Sequence, residues 1–167
     1  FQIEAFDDAS SIRLKILEAI DAALDKWLPE LKQGTWNPIA QDEYLATWYG
    51  KRAPSDGLIS WDTLNAKEID RLIKSSSHPH PGAFSFLDHE KIIIWKSEVE
   101  ENLKIKGVPG RILVSEKERI LVQCKKGLIW LTAYEYFGAK QLVPGVRIGY
   151  NVEMEINKIW KRLNQIN

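Results

Sequence analysis

The sequence predicts an α+β chain: the closing strand and helix of an α/β unit, a connecting segment, a small antiparallel β-barrel or sandwich, and a C-terminal helix. Three observations carry this reading. An alternating opening, "FQIEAF", runs into a long stretch with apolar residues at helical spacing. Four runs rich in β-branched and aromatic residues come in close succession between 91 and 136. The last seventeen or so residues return to a helical pattern.

In the opening, Phe1, Ile3 and Ala5 fall on one face of a predicted strand. Asp7 and Asp8 offer an N-cap to the next segment, where Ile12, Ile16, Ile20, Ala23, Leu24 and Trp27 form one stripe expected to be buried. Pro29 is expected to kink or end this helix, and Gly34 to stop any continuation beyond it. One strand and one helix cannot build a core, so residues 1–36 read as the tail of another domain. The chain opens on Phe1 and its only methionine is Met154, which also predicts a piece of a longer protein.

Residues 37–77 read as a linker with a hairpin and a helix. Short strands are expected around Tyr44–Tyr49 and Leu58–Trp61, with a turn at "APSDG" between them. Asn65 with Glu68 resembles a capping box, and Ile69, Leu72 and Ile73 give the helix after it an apolar face. Residues 78–150 carry the strand signals "KIIIWKSEV", "GRILVS", "RILVQC" and "LIWLTAYEY", punctuated by Gly, Pro and charged turns. In residues 151–167, Val152, Ile156, Ile159, Trp160 and Leu163 share a helical face; Glu153 and Glu155 precede Lys158, Lys161 and Arg162, as the helix dipole prefers.

Totals exclude several classes. Lys plus Arg and Asp plus Glu both number 23, so the overall balance does not call for nucleic acid or an anionic membrane. Cys124 is the only cysteine, which rules out an intrachain disulfide and a thiolate zinc cluster and suits a reducing, cytoplasmic setting. No apolar run approaches the ~20 residues of a membrane span.

The motif "SSSHPHPGAFSF" (75–86) looks chemical because His78 and His80 alternate with Pro79 and Pro81. Residues two apart in a proline-locked segment with about three residues per turn diverge around the chain, and His89 is the only other histidine. The reading is therefore no metal but a stiff connector, with Gly82 allowing close backbone approach and Phe84 and Phe86 alternating into the core. In "ATWYGKRAPSDGLISW", Lys51 and Arg52 come just after Tyr49; a guanidinium can fork onto phosphate, and Tyr49 or Trp48 can stack on a planar base or sugar. Arg119, Lys125 and Lys126 surround a predicted hairpin turn, where they serve either as edge protection or as a polyanion strip. Glu98, Glu100 and Glu101 read as a solvated charged stretch. No phosphate-binding Gly loop, nucleophile elbow or HExxH motif is present.

Taken together, "QDEYLATWYGKRAPSDGLISW", "AKEIDRLIKSSSHPHPGAFSFLDHEKIIIWKSEV", "GVPGRILV", "ILVQCKKGLIWL" and "PGVRIG" closely resemble the 10-formyltetrahydrofolate-dependent formyltransferases. That family includes methionyl-tRNA formyltransferase and the sugar-amine N-formyltransferases. The resemblance covers about residues 1–149. It implies that the chain holds the last strand and helix of a Rossmann-like formyl-transfer domain, a linker, and an OB-like barrel. The catalytic Asn, His and Asp and the site for 10-formyltetrahydrofolate are then expected upstream of Phe1, with no catalytic residue in this chain. The basic pair after an aromatic looks closer to the sugar-amine branch. There the resemblance implies that Arg52, with Lys51 and Tyr49, helps hold a nucleotide-linked amino sugar. The family usually has Trp or Tyr where His80 stands. Initiator methionyl-tRNA is the alternative acceptor. A nucleic-acid-binding barrel, or an assembly domain forming a homodimer, are the readings from other classes.

Overall fold

The computed structural model describes residues 1–149 and, beyond them, Ile156, Ile159, Trp160, Arg162 and Leu163. These five are helical and exposed; otherwise the helix expected over 151–167 lies outside the described residues. The chain divides into two compact units, Phe1–Ala53 and Pro54–Asn167.

The first unit is dominated by α1 (Ala9–Gln33). Its start is fixed by a reciprocal box: the Asp8 carboxylate accepts from Ser11 N, and Asp8 N donates to Ser11 Oγ, both at 2.9 Å. Asp7 adds a second anchor, accepting from Glu4 N at 2.7 Å and from Lys15 Nζ at 2.6 Å. The Glu4 N–H and then the Lys15 ammonium hold the Asp7 carboxyl down at about 2. Gly34 closes the helix in the left-handed conformation at φ 70°, as the sequence predicts. Pro29 lies inside the helix instead of ending it, and the helix continues to Gln33.

Three expectations for this unit fail, the first two for one reason. Residues 1–6 form no strand; a turn donates Asp7 N to Glu4 O at 3.1 Å. A strand needs a neighbour to satisfy its backbone, and the unit contains none. The stripe on α1 is likewise not buried: Ile16, Ile20, Leu24 and Trp27 are all exposed, and the helix has no buried residue. The strand expected at Tyr44–Tyr49 is replaced by a 3-10 turn at Glu43–Leu45, capped by Asp42 through Tyr44 N at 3.0 Å, and then by irregular chain.

The second unit opens with a 3-10 turn at Pro54–Gly57, the "APSDG" turn. The strand expected at Leu58–Trp61 reduces to one bridge, Leu58 to Phe84, with Ile59 N donating to Phe84 O at 2.8 Å. Helix α2 (Ala66–Ser76) begins with the anticipated box: Glu68 N donates to Asn65 Oδ1 at 3.0 Å and Asn65 N to Glu68 Oε2 at 2.8 Å. Ala66, Ile69 and Ile73 bury their side chains in the core.

The strand runs then appear in order as β1 (Ala83–Leu87), β2 (Glu90–Glu100), β3 (Ile112–Ser115), β4 (Ile120–Gln123) and β5 (Leu128–Tyr136). They form one antiparallel sheet in the order β1-β2-β5-β4-β3. Every neighbour in sequence from β3 to β5 is a neighbour in space, so short turns suffice there. The β4–β5 turn at 125–127 uses Gly127 at φ 83°, with Cys124 N donating to Gly127 O at 3.1 Å.

Both outer edges of this sheet meet the same short run, residues 145–149. Ile112 N donates to Val146 O and Ile148 N to Gly110 O on the β3 side, each at 2.8 Å. On the β1 side Gly149 N donates to Phe86 O at 2.8 Å. Arg147 fastens the run further, donating from Nε to Pro109 O at 2.9 Å and from its Nη2 to both Asp62 oxygens at 3.0 and 3.1 Å.

The core gathers Ile59, Trp61, Ile69, Ile73, Ile92, Ile94, Ile112, Ile120, Ile129 and Leu131 under α2. A polar tie crosses its margin: Asp70 of α2 accepts from Lys74 Nζ at 2.6 Å and from Ser97 Oγ on β2 at 2.8 Å. Ser97 sits beside a register shift at Lys96.

Cys124 is fully buried, and desolvation pushes its thiol up to about 12. The fold therefore keeps the proton that the unfolded chain releases near 9. Stability is unaffected by this group below pH 9 and declines as pH rises from 9 toward 12. Alkylation by iodoacetamide at pH 8 is expected to track the rate of global unfolding. Labelling of the native protein as fast as a free thiol would contradict this burial.

Candidate functional site

The histidine-proline segment resolves into architecture. His80 N donates to Ser77 O at 3.0 Å and Gly82 N to Ser76 O at 2.8 Å, folding the connector back on the end of α2. His78 stacks on Trp95 with ring centroids 4.1 Å apart and planes 10° from parallel. His80 is exposed, and among the described residues no group of three His, Cys, Asp or Glu side chains could hold a metal ion. Gly82 sits at φ 84°, where a Cβ would come within 2.6 Å of Ile93 Cγ2. The close approach expected of this glycine is real.

The face of β1 is the reverse of the prediction. Ala83, Ser85 and Leu87 point to the core, while Phe84 and Phe86 are half-buried on the other side. Pairing explains the inversion: Ala83 lies opposite Ile94 and Ser85 opposite Ile92, two fully buried isoleucines that leave room only for small partners. Ser85 is satisfied there by the Trp61 indole N–H at 2.9 Å. Outside, Phe84 and Phe86 meet edge to face at 5.7 Å, and the Lys91 ammonium lies 4.1 Å from the Phe84 ring centre.

The three basic residues divide between two turns, Arg119 at β3–β4 and Lys125 and Lys126 at β4–β5. Arg119 lies over the Trp130 ring at 4.2 Å and pairs through Nε with Glu116 Oε2 at 2.6 Å. It covers the small outer cluster of Leu121, Leu128 and Trp130. Lys125 and Lys126 are exposed at the turn. Glu100 is not merely solvated: it accepts from Trp130 Nε1 at 2.9 Å and from Asn102 N at 2.7 Å. These bonds lower its pKa, the indole N–H contributing most. Sequence reasoning missed this role because the indole partner lies 30 residues away in the chain.

Tyr49, Lys51 and Arg52 lie close together in the chain at the end of the first unit, outside any helix or strand. All three side chains are exposed, Tyr49 at 91%. Trp48, at 89%, is presented with them. This stretch combines a cationic fork, an ammonium and two exposed aromatic surfaces, which suits an anionic group attached to a planar ring.

The family described as "Formyl transferase, C-terminal domain" matches residues 51–144. The bifunctional polymyxin resistance protein ArnA of Wigglesworthia glossinidia brevipalpis is 35% identical over 136 residues, covering 81% of this chain and 20% of that protein. Among solved structures, HypX from Aquifex aeolicus in complex with tetrahydrofolic acid superposes with a TM-score of 0.64 at 23% identity. It covers 83% of this chain and 24% of HypX. A variant of the same HypX, A392F-I419F, gives a TM-score of 0.63 at 23% identity, covering 84% of this chain and 24% of that one. The chain thus spans about a fifth to a quarter of the length of these relatives. By the match over residues 51–144, the chain belongs to the formyl transferase family and carries its C-terminal domain.

Proposed function

We propose that this chain is the C-terminal portion of an enzyme that moves a formyl group from 10-formyltetrahydrofolate to the amine of a nucleotide-linked amino sugar. The observation that carries the reading is the coincidence of the family match with the exposed Tyr49–Arg52 stretch. Similarity to ArnA supports the sugar-amine branch, and the tetrahydrofolic acid in the HypX structure supports the donor. In this reading residues 1–36 complete the Rossmann-like formyl-transfer domain, which binds the folate. Pro54 onward forms an OB-like barrel, and the enzyme works in the cytoplasm without a metal.

The chemistry is amine attack on the formyl carbon, forming the new C–N bond as the bond to the folate nitrogen breaks. A general base takes the proton from the acceptor amine, and the departing folate nitrogen takes up a proton in its place. That base belongs to the formyl-transfer domain. This chain contributes binding: the Arg52 guanidinium forks onto the nucleotide phosphates, Lys51 adds charge, and Tyr49 offers its ring to the base or sugar.

Replacing Arg52 with Ala in the full-length enzyme is expected to raise the Michaelis constant for the nucleotide-sugar about 10- to 100-fold, the loss of one charge-assisted contact. An unchanged constant removes Arg52 from the role. Salt-sensitive binding of initiator methionyl-tRNA, with no turnover of nucleotide-sugars, would replace the acceptor.

A further inference from the structure

The glycine of the "APSDG" turn is not required by its own conformation. Gly57 does not take the positive φ of Gly34, Gly82 or Gly110. It is buried, however, and a Cβ on it would come within 2.9 Å of the Gly82 carbonyl oxygen. The same Cβ would meet Ala83 Cα and Phe84 Cδ1, each at 3.5 Å. The turn therefore rests directly on backbone, at a distance that only a residue without a side chain allows. The backbone beneath it is fixed on its own account. Gly82 N donates to Ser76 O at 2.8 Å at the end of α2. Gly82 also backs onto β2, where a Cβ would strike Ile93 at 2.6 Å and Trp95 at 3.0 Å. Trp95 is held in turn by the stacked His78 ring and by its indole N–H, which donates to Glu135 at 2.9 Å. The turn is bonded along its length as well: Leu58 N donates to Ser55 O at 3.1 Å and Ile59 N to Phe84 O at 2.8 Å.

Arg52 precedes this turn by two residues, and the links between them are stiff. Proline locks φ at Pro54, and the residue before a proline, here Ala53, is confined to extended conformations. A displacement of the turn thus finds few soft torsions to absorb it before it reaches Arg52. We infer that Gly57 is a positioning residue for the nucleotide-sugar: its bare Cα seats the Pro54–Gly57 turn on the Gly82 carbonyl and so sets the point from which Arg52 reaches the phosphates. The inference rests on the role proposed for Arg52 above. It also gives the histidine-proline connector a part in binding, because that connector holds the carbonyl on which the turn rests.

Gly57→Ala in the full-length enzyme is expected to raise the Michaelis constant for the nucleotide-sugar about 5- to 10-fold, with kcat and the constant for the folate donor within about twofold. A double-mutant cycle separates positioning from general loosening. Because Gly57 acts through Arg52, Gly57→Ala should add less than about twofold to an enzyme already carrying Arg52→Ala. Gly145→Ala is the control for lost stability: it strains the backbone at the β3 side and should lower Tm while leaving the constant unchanged. Should Gly57→Ala fail to fold, Phe84→Ala decides. It removes the ring beside the turn but keeps the Gly82 carbonyl, and should raise the same constant about threefold, again only while Arg52 is present. An unchanged constant in whichever of the two folds, or effects that multiply in the double variant, overturns the inference and leaves Arg52 its role. A rise of the same size in Gly145→Ala overturns it too, since lost stability then explains the effect. An unchanged constant in Arg52→Ala alone removes the Arg52 reading, and the inference falls with it.

Discussion

Ile129→Ala should destabilise the second unit by about 3–4 kcal/mol, the cost of deleting three buried carbons from a site that cannot collapse. Ile129 is 0% exposed and stands on β5, the middle strand of the sheet. It lies opposite Val99 on one side and Val122 on the other. Backbone pairing on both sides prevents the sheet from closing over the void, so this position belongs near the upper part of the range for Ile→Ala. For a unit of this size the loss corresponds to roughly 10–30 °C in Tm. Calorimetry of the variant, with the exposed Phe137→Ala as control within about 0.5 kcal/mol, checks it. A loss below about 1 kcal/mol would mean that the packing around β5 is looser than described.

Gly110→Ala is the second large effect, and it acts through the backbone. Gly110 has φ 80°, and a Cβ there would collide with the carbonyl oxygen of Ile148. The left-handed conformation alone costs about 1–2 kcal/mol for an L-residue. The clash is with backbone, so relief requires moving residues 145–149 away from β3. That weakens the bonds Ile148 N to Gly110 O and Ile112 N to Val146 O, each worth about 0.5–1.5 kcal/mol. The total is about 2–5 kcal/mol. Gly145→Ala makes the comparison: it shares a positive φ of 92° but meets nothing within 4 Å, so only the conformational cost remains. Urea unfolding of the two variants should separate them by at least about 1 kcal/mol. Equal losses would show that closure tolerates displacement.

Local chemistry was legible in the sequence where it is self-contained. The Asn65–Glu68 box, the Asp8 cap, the Gly34 stop and the consecutive hairpins of β3 to β5 all depend on residues near one another in the chain. What failed depends on partners far away or outside the chain. "FQIEAF" has the alternation of a strand but no neighbour to pair with. The α1 stripe has the periodicity of a buried helix but no core to face. Phe84 and Phe86 have the right period and the wrong face, because register is set by Ile92 and Ile94 across the sheet and volume decides which face turns inward. Of the candidate site, Tyr49, Lys51 and Arg52 could be picked out by residue type and by resemblance. Their exposure, and the exposure of the aromatic run before them, required coordinates.

The double-sided role of residues 145–149 also bears on how the protein is made. Until that run has left the ribosome, β3 presents an unsatisfied strand edge and the Phe86 carbonyl of β1 lacks its partner, and an open edge is the form of a sheet most able to recruit another chain. Both gaps close together, by one event, when residues 145–149 arrive. A nascent chain paused just short of residue 145 would thus be the species most in need of a chaperone.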